Sequence, residues 1–205
     1  SGRVRYIGCS NLYAYQMVKM NAAASRIGAE RFISTQHLYN LIRRDVEREI
    51  LPACDDQGMG MICWSPLAAG LLTGKYQGQE KPGEDTRFGI MARMYLPRYW
   101  WDGALKLVDL TVKLAGELGK TPAQVALAWL LHDRRVTAPI IGARTIDQLA
   151  DNLIAGDWDL PEDARQQLTD ALPASHGYPK DWMDNSYPGT FKYAEFEPRH
   201  AQRRP

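Results

Sequence analysis

Apolar and polar positions along the chain alternate between two rhythms. Val4 to Cys9 is a short apolar run that ends in the polar pair Ser10-Asn11, as a buried strand would. From about Tyr15 to Ile27, Met17, Val18, Met20 and Ala24 lie near helical spacing. Arg31 to Gln36, rich in β-branched and aromatic residues, predicts a second strand. Asp45 to Asp56 predicts a charged amphipathic helix with Val46, Ile50 and Leu51 inward and Pro52 kinking or ending it. Gly58 to Trp64 predicts a third buried strand. A long connection follows, from Leu67 to about Trp101, and connections of that length usually form lids or binding loops.

Beyond it, Gly103 to Leu118 predicts a helix. Thr121-Pro-Ala-Gln124 combines capping-box spacing with proline at the first helical position, and opens a helix through Leu131. Val136 to Ile141 predicts a fourth strand, irregular at Pro139. Thr145-Ile-Asp-Gln148 starts another helix to about Ile154, and Glu162 to Leu172 gives one more. The proline- and aromatic-rich residues 173–205 read as an extended C-terminal tail after a domain spanning 1–172.

Alternating strands and helices with near-continuous apolar strands argue for an α/β fold with a parallel sheet. A doubly wound sheet and a (β/α)8 barrel compete. No G-x-G-x-x-G follows any strand, which counts against the dinucleotide-binding doubly wound type. Polar clusters sit at the carboxyl ends of the strands, at Ser10-Asn11, Gln36, Trp64-Ser65 and Gly142-Ala-Arg144. Barrels place their sites there in essentially every case, but need eight strands where four are visible.

Composition narrows the classes. A hydrophobic fraction of 45% with 24% charged residues is globular and excludes a disordered chain. Net charge is +1, so there is no electrostatic case for nucleic acid or an anionic membrane. Arg199, Arg203 and Arg204 make only a local basic end, read as solvated. The apolar run near Met61 to Leu72 is too short to span a bilayer. Cys9, Cys54 and Cys63 form no C-x-x-C pair, an odd and sparse usage that suits a reducing cytoplasm and inert packing thiols. His37, His132, His176 and His200 are scattered without metal-ligand spacing and read as structural or exposed; no metal site is expected.

Several long motifs, in order, resemble the C-terminal half of an aldo-keto reductase. Gly2-Arg-Val-Arg-Tyr-Ile-Gly-Cys-Ser-Asn11 is similar to the family's fifth strand, and Gln36-His-Leu-Tyr-Asn40 to its sixth. Trp64-Ser-Pro-Leu-Ala-Ala-Gly-Leu-Leu-Thr-Gly-Lys75 resembles the seventh-strand motif almost residue for residue. Thr121-Pro-Ala-Gln-Val-Ala-Leu-Ala-Trp-Leu130 and Ile141-Gly-Ala-Arg-Thr-Ile-Asp-Gln-Leu-Ala-Asp-Asn152 resemble its last helices and eighth strand. The resemblance runs from Gly2 to about Leu172. It implies a TIM-barrel family fold with only the C-terminal four βα units in this chain.

What the resemblance implies chemically is NADP(H) bound over the carboxyl ends of the strands, serving reduction of small carbonyl substrates by hydride transfer. Ser10, Asn11 and Gln36 would hold the nicotinamide carboxamide, and Trp64 would stack on the ring. Ser65, Leu67 and Gly70, with Pro66 among them, would line the pyrophosphate. Arg144 and Thr145 would meet the 2′-phosphate, beside Gly142, with Gln148 and Asn152 near the adenine. The last assignment also has its own physics: a strand ending in Gly-Ala-Arg-Thr before a capped helix offers N–H groups, a positive dipole end and a guanidinium.

Blander readings stay open for each residue. Ser10-Asn11 could start the following helix, Trp64 could fill core, and Gln36 could satisfy buried backbone groups. Arg144 could be plain surface and Thr145 only a cap. No catalytic residue is assigned, because the family's Tyr acid and its Lys, Asp and His partners come from the first four strands, which would precede Ser1. The chain is therefore expected to need a missing N-terminal half-barrel, or self-association, to cover its open edges. Two alternatives stand beside the reductase: a non-catalytic NADP(H)-binding module like potassium-channel beta subunits, and an inactive truncated product.

Overall fold

The computed structural model describes residues 2–174 and 177–182. Its strands are β1 (Ile7–Ser10), β2 (Phe32–Leu38), β3 (Gly60–Trp64) and β4 (Val136–Pro139). They form one sheet in chain order, β1-β2-β3-β4, and β1 runs parallel to β2. Consecutive parallel strands need crossovers, and helices supply them. These are α1 (Ala14–Arg26), α2 (Ile50–Gln57), α5 (Asp102–Glu117) and α6 (Pro122–His132). After β4 come α7 (Ile146–Leu153) and α8 (Glu162–Ala171). This is the α/β architecture of the TIM-barrel family, with four strands present.

Three expectations are corrected. The helix expected over 45–56 is broken: a 3-10 turn covers Asp45–Glu47, Glu49 leaves helical geometry at φ −138°, and α2 starts at Ile50. Restarting there puts Pro52 in the first turn, where its missing N–H costs no helical hydrogen bond. The third strand begins two residues late, because Gly58 ends α2 in the left-handed conformation at φ 64°. The connection from Leu67 to Trp101 is largely helical: a 3-10 segment at Ala68–Thr73, then α3 (Arg87–Ile90) and α4 (Ala92–Tyr99). Fully buried Phe88 organises it, with Tyr76, Tyr95, Tyr99 and Trp100 packed around the ring. Phe88, Tyr95 and Tyr99 stand seven and four residues apart, a helical spacing that reading the segment as one connection passes over.

The described residues divide into two compact units. The first comprises residues up to His37, Asp45–Ile62 and those after 173. In it the buried Asn21 side chain accepts the Phe32 N–H at 2.9 Å and approaches Gln57 and Met59 through its amide nitrogen. One polar side chain thus fixes α1 against the start of β2, with its hydrogen-bonding capacity used. Val4, Tyr6, Ile7 and Ile33 remain exposed in this unit.

His37 also lies in the first unit, buried, with Nε2 lacking a hydrogen-bond partner among the described residues. Burial pushes its pKa below the ordinary 6.5. The unfolded chain therefore takes up the proton first, and stability is lost as pH falls through 6.5 toward the lowered folded value. We expect the denaturant midpoint to drop between about pH 7.5 and 5.5, and His37→Leu to flatten that slope.

The second unit comprises Leu38–Arg44 and Cys63–Pro173. Helix α6 is buried continuously from Ala123 to Leu130, as expected of a helix apolar on all sides. Its start is the expected capping box: Gln124 N–H donates to Thr121 Oγ1, and Thr121 N–H to Gln124 Oε1, both at 3.2 Å. The Gln124 amide nitrogen then reaches Asp151 of α7 at 2.8 Å. Arg44 lies over the Trp129 ring and donates to the Thr169 and Leu172 carbonyls, holding the end of α8. Ile140, Ile146, Leu149, Leu153 and Ile154 are left exposed here. None of Cys9, Cys54 and Cys63 is in a disulfide. Burial, with Asp133 adding to it, pushes the Cys63 thiol up to about 12, so it is a packing group and no nucleophile.

Most of the expected tail, with His176 and His200, lies outside the described residues.

Candidate functional site

In the first unit the polar end of β1 is built by strand register. Ser10 pairs with Gln36, and the close approach begins at Gly8, where a Cβ would stand 2.6 Å from Ser34 Oγ. Only glycine fits that spacing without a shift. The chain then turns at Asn11, left-handed at φ 55°, a conformation asparagine tolerates better than most residues. Ser10 Oγ donates to the Gln36 carbonyl at 2.9 Å and the Asn11 N–H donates to it at 3.1 Å. The Asn11 amide nitrogen donates to Ser10 Oγ at 2.9 Å.

Two bonds thus converge on one carbonyl and fix three predicted residues in a single cluster. The half-buried side-chain amide of Gln36 makes no hydrogen bond to any described residue. It keeps a donor and an acceptor free, which is the complement a ligand carboxamide needs. Neither Ser10 nor Asn11 caps α1; that position falls to Tyr13, whose N–H is bonded by Gln16.

In the second unit β3 ends at the half-buried Trp64. The backbone then runs left-handed at Ser65 (φ 52°), Ala68 (φ 48°), Ala69 (φ 58°) and Gly70 (φ 90°). Three of these are not glycine, and such geometry persists only where the surroundings enforce it. Fully buried Asn40 does so: its amide nitrogen donates to the Ser65 carbonyl at 2.9 Å, while its Oδ1 accepts the N–H groups of Ile42 and Arg43. Ala68 N–H closes the turn onto the same carbonyl, and Gly70 N–H bonds Leu67. These bonds keep the Ala68 and Gly70 N–H groups inside the turn, so any charge it offers comes from side chains.

Two cations stand there that the sequence reading did not assign. A Cβ on Gly70 would meet Lys75 Nζ at 2.8 Å, so the ammonium lies directly against the turn. The available signal was its place at the end of the Trp64–Lys75 motif. Arg98, from α4, holds its guanidinium 5.7 Å from the centre of the Trp64 ring. Beside it the fully buried Tyr99 hydroxyl faces Ser65, Asn40 and Arg98 without a well-formed hydrogen bond. Burial raises its pKa, against the opposing pull of those three neighbours. Both residues fall in the segment read as a loop, which is why they were missed.

Ile140 N–H donates to the Cys63 carbonyl at 2.8 Å, so pairing resumes after Pro139 and the carboxyl end of β4 lies beside that of β3. Gly142 is exposed, and a Cβ there would meet nothing within 4 Å. Thr145 caps α7, its Oγ1 accepting the Gln148 N–H at 3.2 Å. The reciprocal half of the expected box is displaced by one residue: Gln148 Oε1 accepts the N–H of Arg144, at 2.9 Å. That bond fixes the Arg144 backbone at the positive end of α7. Its exposed guanidinium pairs with no described residue. Asn152 is buried on the same helix, next to Asp151.

Within the second unit, an aromatic face beside a turn that carries an ammonium, and a guanidinium without a partner among the described residues at a helix start, are of a chemistry that fits a phosphorylated dinucleotide.

An α/β sheet with polar groups at the carboxyl ends of its strands is the class these features define. Residues 1–172 match the model of the aldo/keto reductase family, and the chain belongs to that family. It is 39% identical over 177 residues to the uncharacterized oxidoreductase YrpG of Bacillus subtilis, covering 86% of this chain and 52% of that protein. It is 37% identical over 150 residues to versiconal hemiacetal acetate reductase of Aspergillus parasiticus, covering 73% and 43%. A probable voltage-gated potassium channel subunit beta of Arabidopsis thaliana is 38% identical over 154 residues, covering 74% and 47%. The chain spans about half the length of the curated relatives it matches. No described helix is long and apolar enough to cross a membrane.

Proposed function

We propose that this chain supplies the NADP(H)-binding part of an oxidoreductase that reduces small aldehydes or ketones to alcohols. The observation that carries the reading is the turn after β3. It offers an aromatic face followed at once by a turn with a lysine ammonium against it, suited to a flat ring joined to a phosphate. The cofactor, when bound, supplies the hydride. Ser10, Asn11 and Gln36 orient its carboxamide, and Trp64 limits the ring to one plane. Ser65, Pro66, Leu67 and Gly70, with Lys75, line the pyrophosphate. Gly142, Arg144 and Thr145 take the 2′-phosphate, and Gln148 and Asn152 border the adenine. Holding the ring this firmly matters because hydride transfer needs near-attack geometry.

The proton donor lies outside the residues of this chain. The partner that brings it is an N-terminal half-barrel, or failing that a second copy. The exposed apolar side chains of each unit, Ile7 and Ile33 in one and Ile146 and Leu149 in the other, support a covering partner. A reducing, cytoplasmic setting accords with the three free thiols.

The full-length protein should consume NADPH in the presence of 4-nitrobenzaldehyde. A second reading, a nucleotide-binding channel module, is favoured by the 38% identity to the Arabidopsis channel subunit. Tight NADPH binding without turnover would support that module, and neither binding nor turnover would indicate an inactive product.

A further inference from the structure

We propose that Arg98 biases the cofactor site toward the reduced nicotinamide by placing an uncompensated positive charge on the Trp64 platform; the inference rests on the NADP(H) reading above. Three observations carry it. The Arg98 guanidinium lies 5.7 Å from the centre of the Trp64 ring and 6.0 Å from that of Tyr99, within cation–π reach of both. No described carboxylate pairs with it. It is half-buried, where solvent and salt screen a charge less than they do on open surface.

Tyr99 fixes the place of this charge. It is fully buried, touches Phe88 and Tyr95, and its hydroxyl faces Ser65 and Asn40, the groups that hold the turn after Trp64. Helix α4 therefore ends against the same turn that presents Trp64. With the guanidinium over one face, a ring stacked on the other lies roughly 9 Å from it across the indole, close enough for a half-screened charge to act. The oxidised nicotinamide ring carries a positive charge and the reduced ring carries none. Repulsion thus acts on NADP+ alone, and the site favours NADPH.

The test is the ratio of the NADP+ to the NADPH dissociation constant in the full-length protein, measured by titration for the wild type, Arg98→Gln and Arg98→Lys. Arg98→Gln should lower that ratio about fivefold, chiefly by tightening NADP+. The same fivefold corresponds to about 20 mV in the two-electron potential of the bound couple. Arg98→Lys keeps the charge and loses the planar stack, so it should hold the wild-type ratio. A ratio unchanged in Arg98→Gln, or shifted equally by Arg98→Lys, would overturn the proposal and leave Arg98 as packing for Trp64. Parallel weakening of both nucleotides would overturn it in the same way. A wild type that binds neither nucleotide would overturn the cofactor reading itself, and the role of Arg98 with it.

Discussion

Replacing Trp64 with alanine should weaken NADPH binding by about 30-fold, the scale of losing one ring stacked on an aromatic side chain. The fold should survive. Trp64 ends a strand and is half-buried, so truncation removes a platform and opens no deep cavity. The turn behind it is held independently by Asn40 and the Ser65 carbonyl. Trp64→Phe should recover much of the affinity, because a smaller ring still offers a flat face. Titration of NADPH against the three forms, with thermal melts alongside, checks both halves of the expectation. Equal affinity in Trp64→Ala would return Trp64 to the role of core filler.

Gly89→Ala should be the most damaging single methyl added outside the buried core. A Cβ at Gly89 would stand 2.1 Å from the Gly83 carbonyl oxygen and 2.8 Å from Glu84 Cα and Gly83 C. All three are backbone atoms, so no side chain can swing aside to make room. The same turn carries the cap of α3, where Thr86 Oγ1 accepts the Gly89 N–H at 3.0 Å and donates to the Gly83 carbonyl at 2.7 Å. Opening it pulls on Phe88, the centre of the aromatic cluster. We expect a loss of about 3 kcal/mol, or a melting temperature lower by about 8 °C for a domain of this size. Gly116→Ala is the contrasting control: it lies inside α5 with nothing within 4 Å of the added carbon. That change should stabilise by about 0.5–1 kcal/mol.

Strand ends were the most legible part of this molecule. Apolar runs closing on Ser10-Asn11, Gln36, Trp64-Ser65 and Gly142-Ala-Arg144 mark where strands end, although β1 is exposed along most of its length. Thr121 and Thr145 announced their helices because capping is local chemistry, readable within four residues. What the pattern hid depends on partners distant in sequence. Arg98 matters through Trp64, and Asn40 through Ser65, contacts that no periodicity encodes. The segment after Leu67 looked irregular because its helices are short and its apolar positions are aromatic. Phe88, Tyr95 and Tyr99 keep helical spacing, but the break between two short helices and the glycines and prolines around them hid it. The displaced capping bond from Arg144 to Gln148 belongs to the same kind: the right residues were marked, and the hand-off between them was not.

Binding of a dinucleotide that carries a 2′-phosphate should show itself in one ratio. It is the NADH dissociation constant over that of NADPH in the full-length protein, measured with and without Arg144→Ala. A guanidinium with no partner among the described residues, at the capped start of α7, should favour NADPH by at least about tenfold, and Arg144→Ala should bring the ratio near one. A wild type that binds NADH and NADPH alike, or a preference that survives Arg144→Ala, would contradict the account.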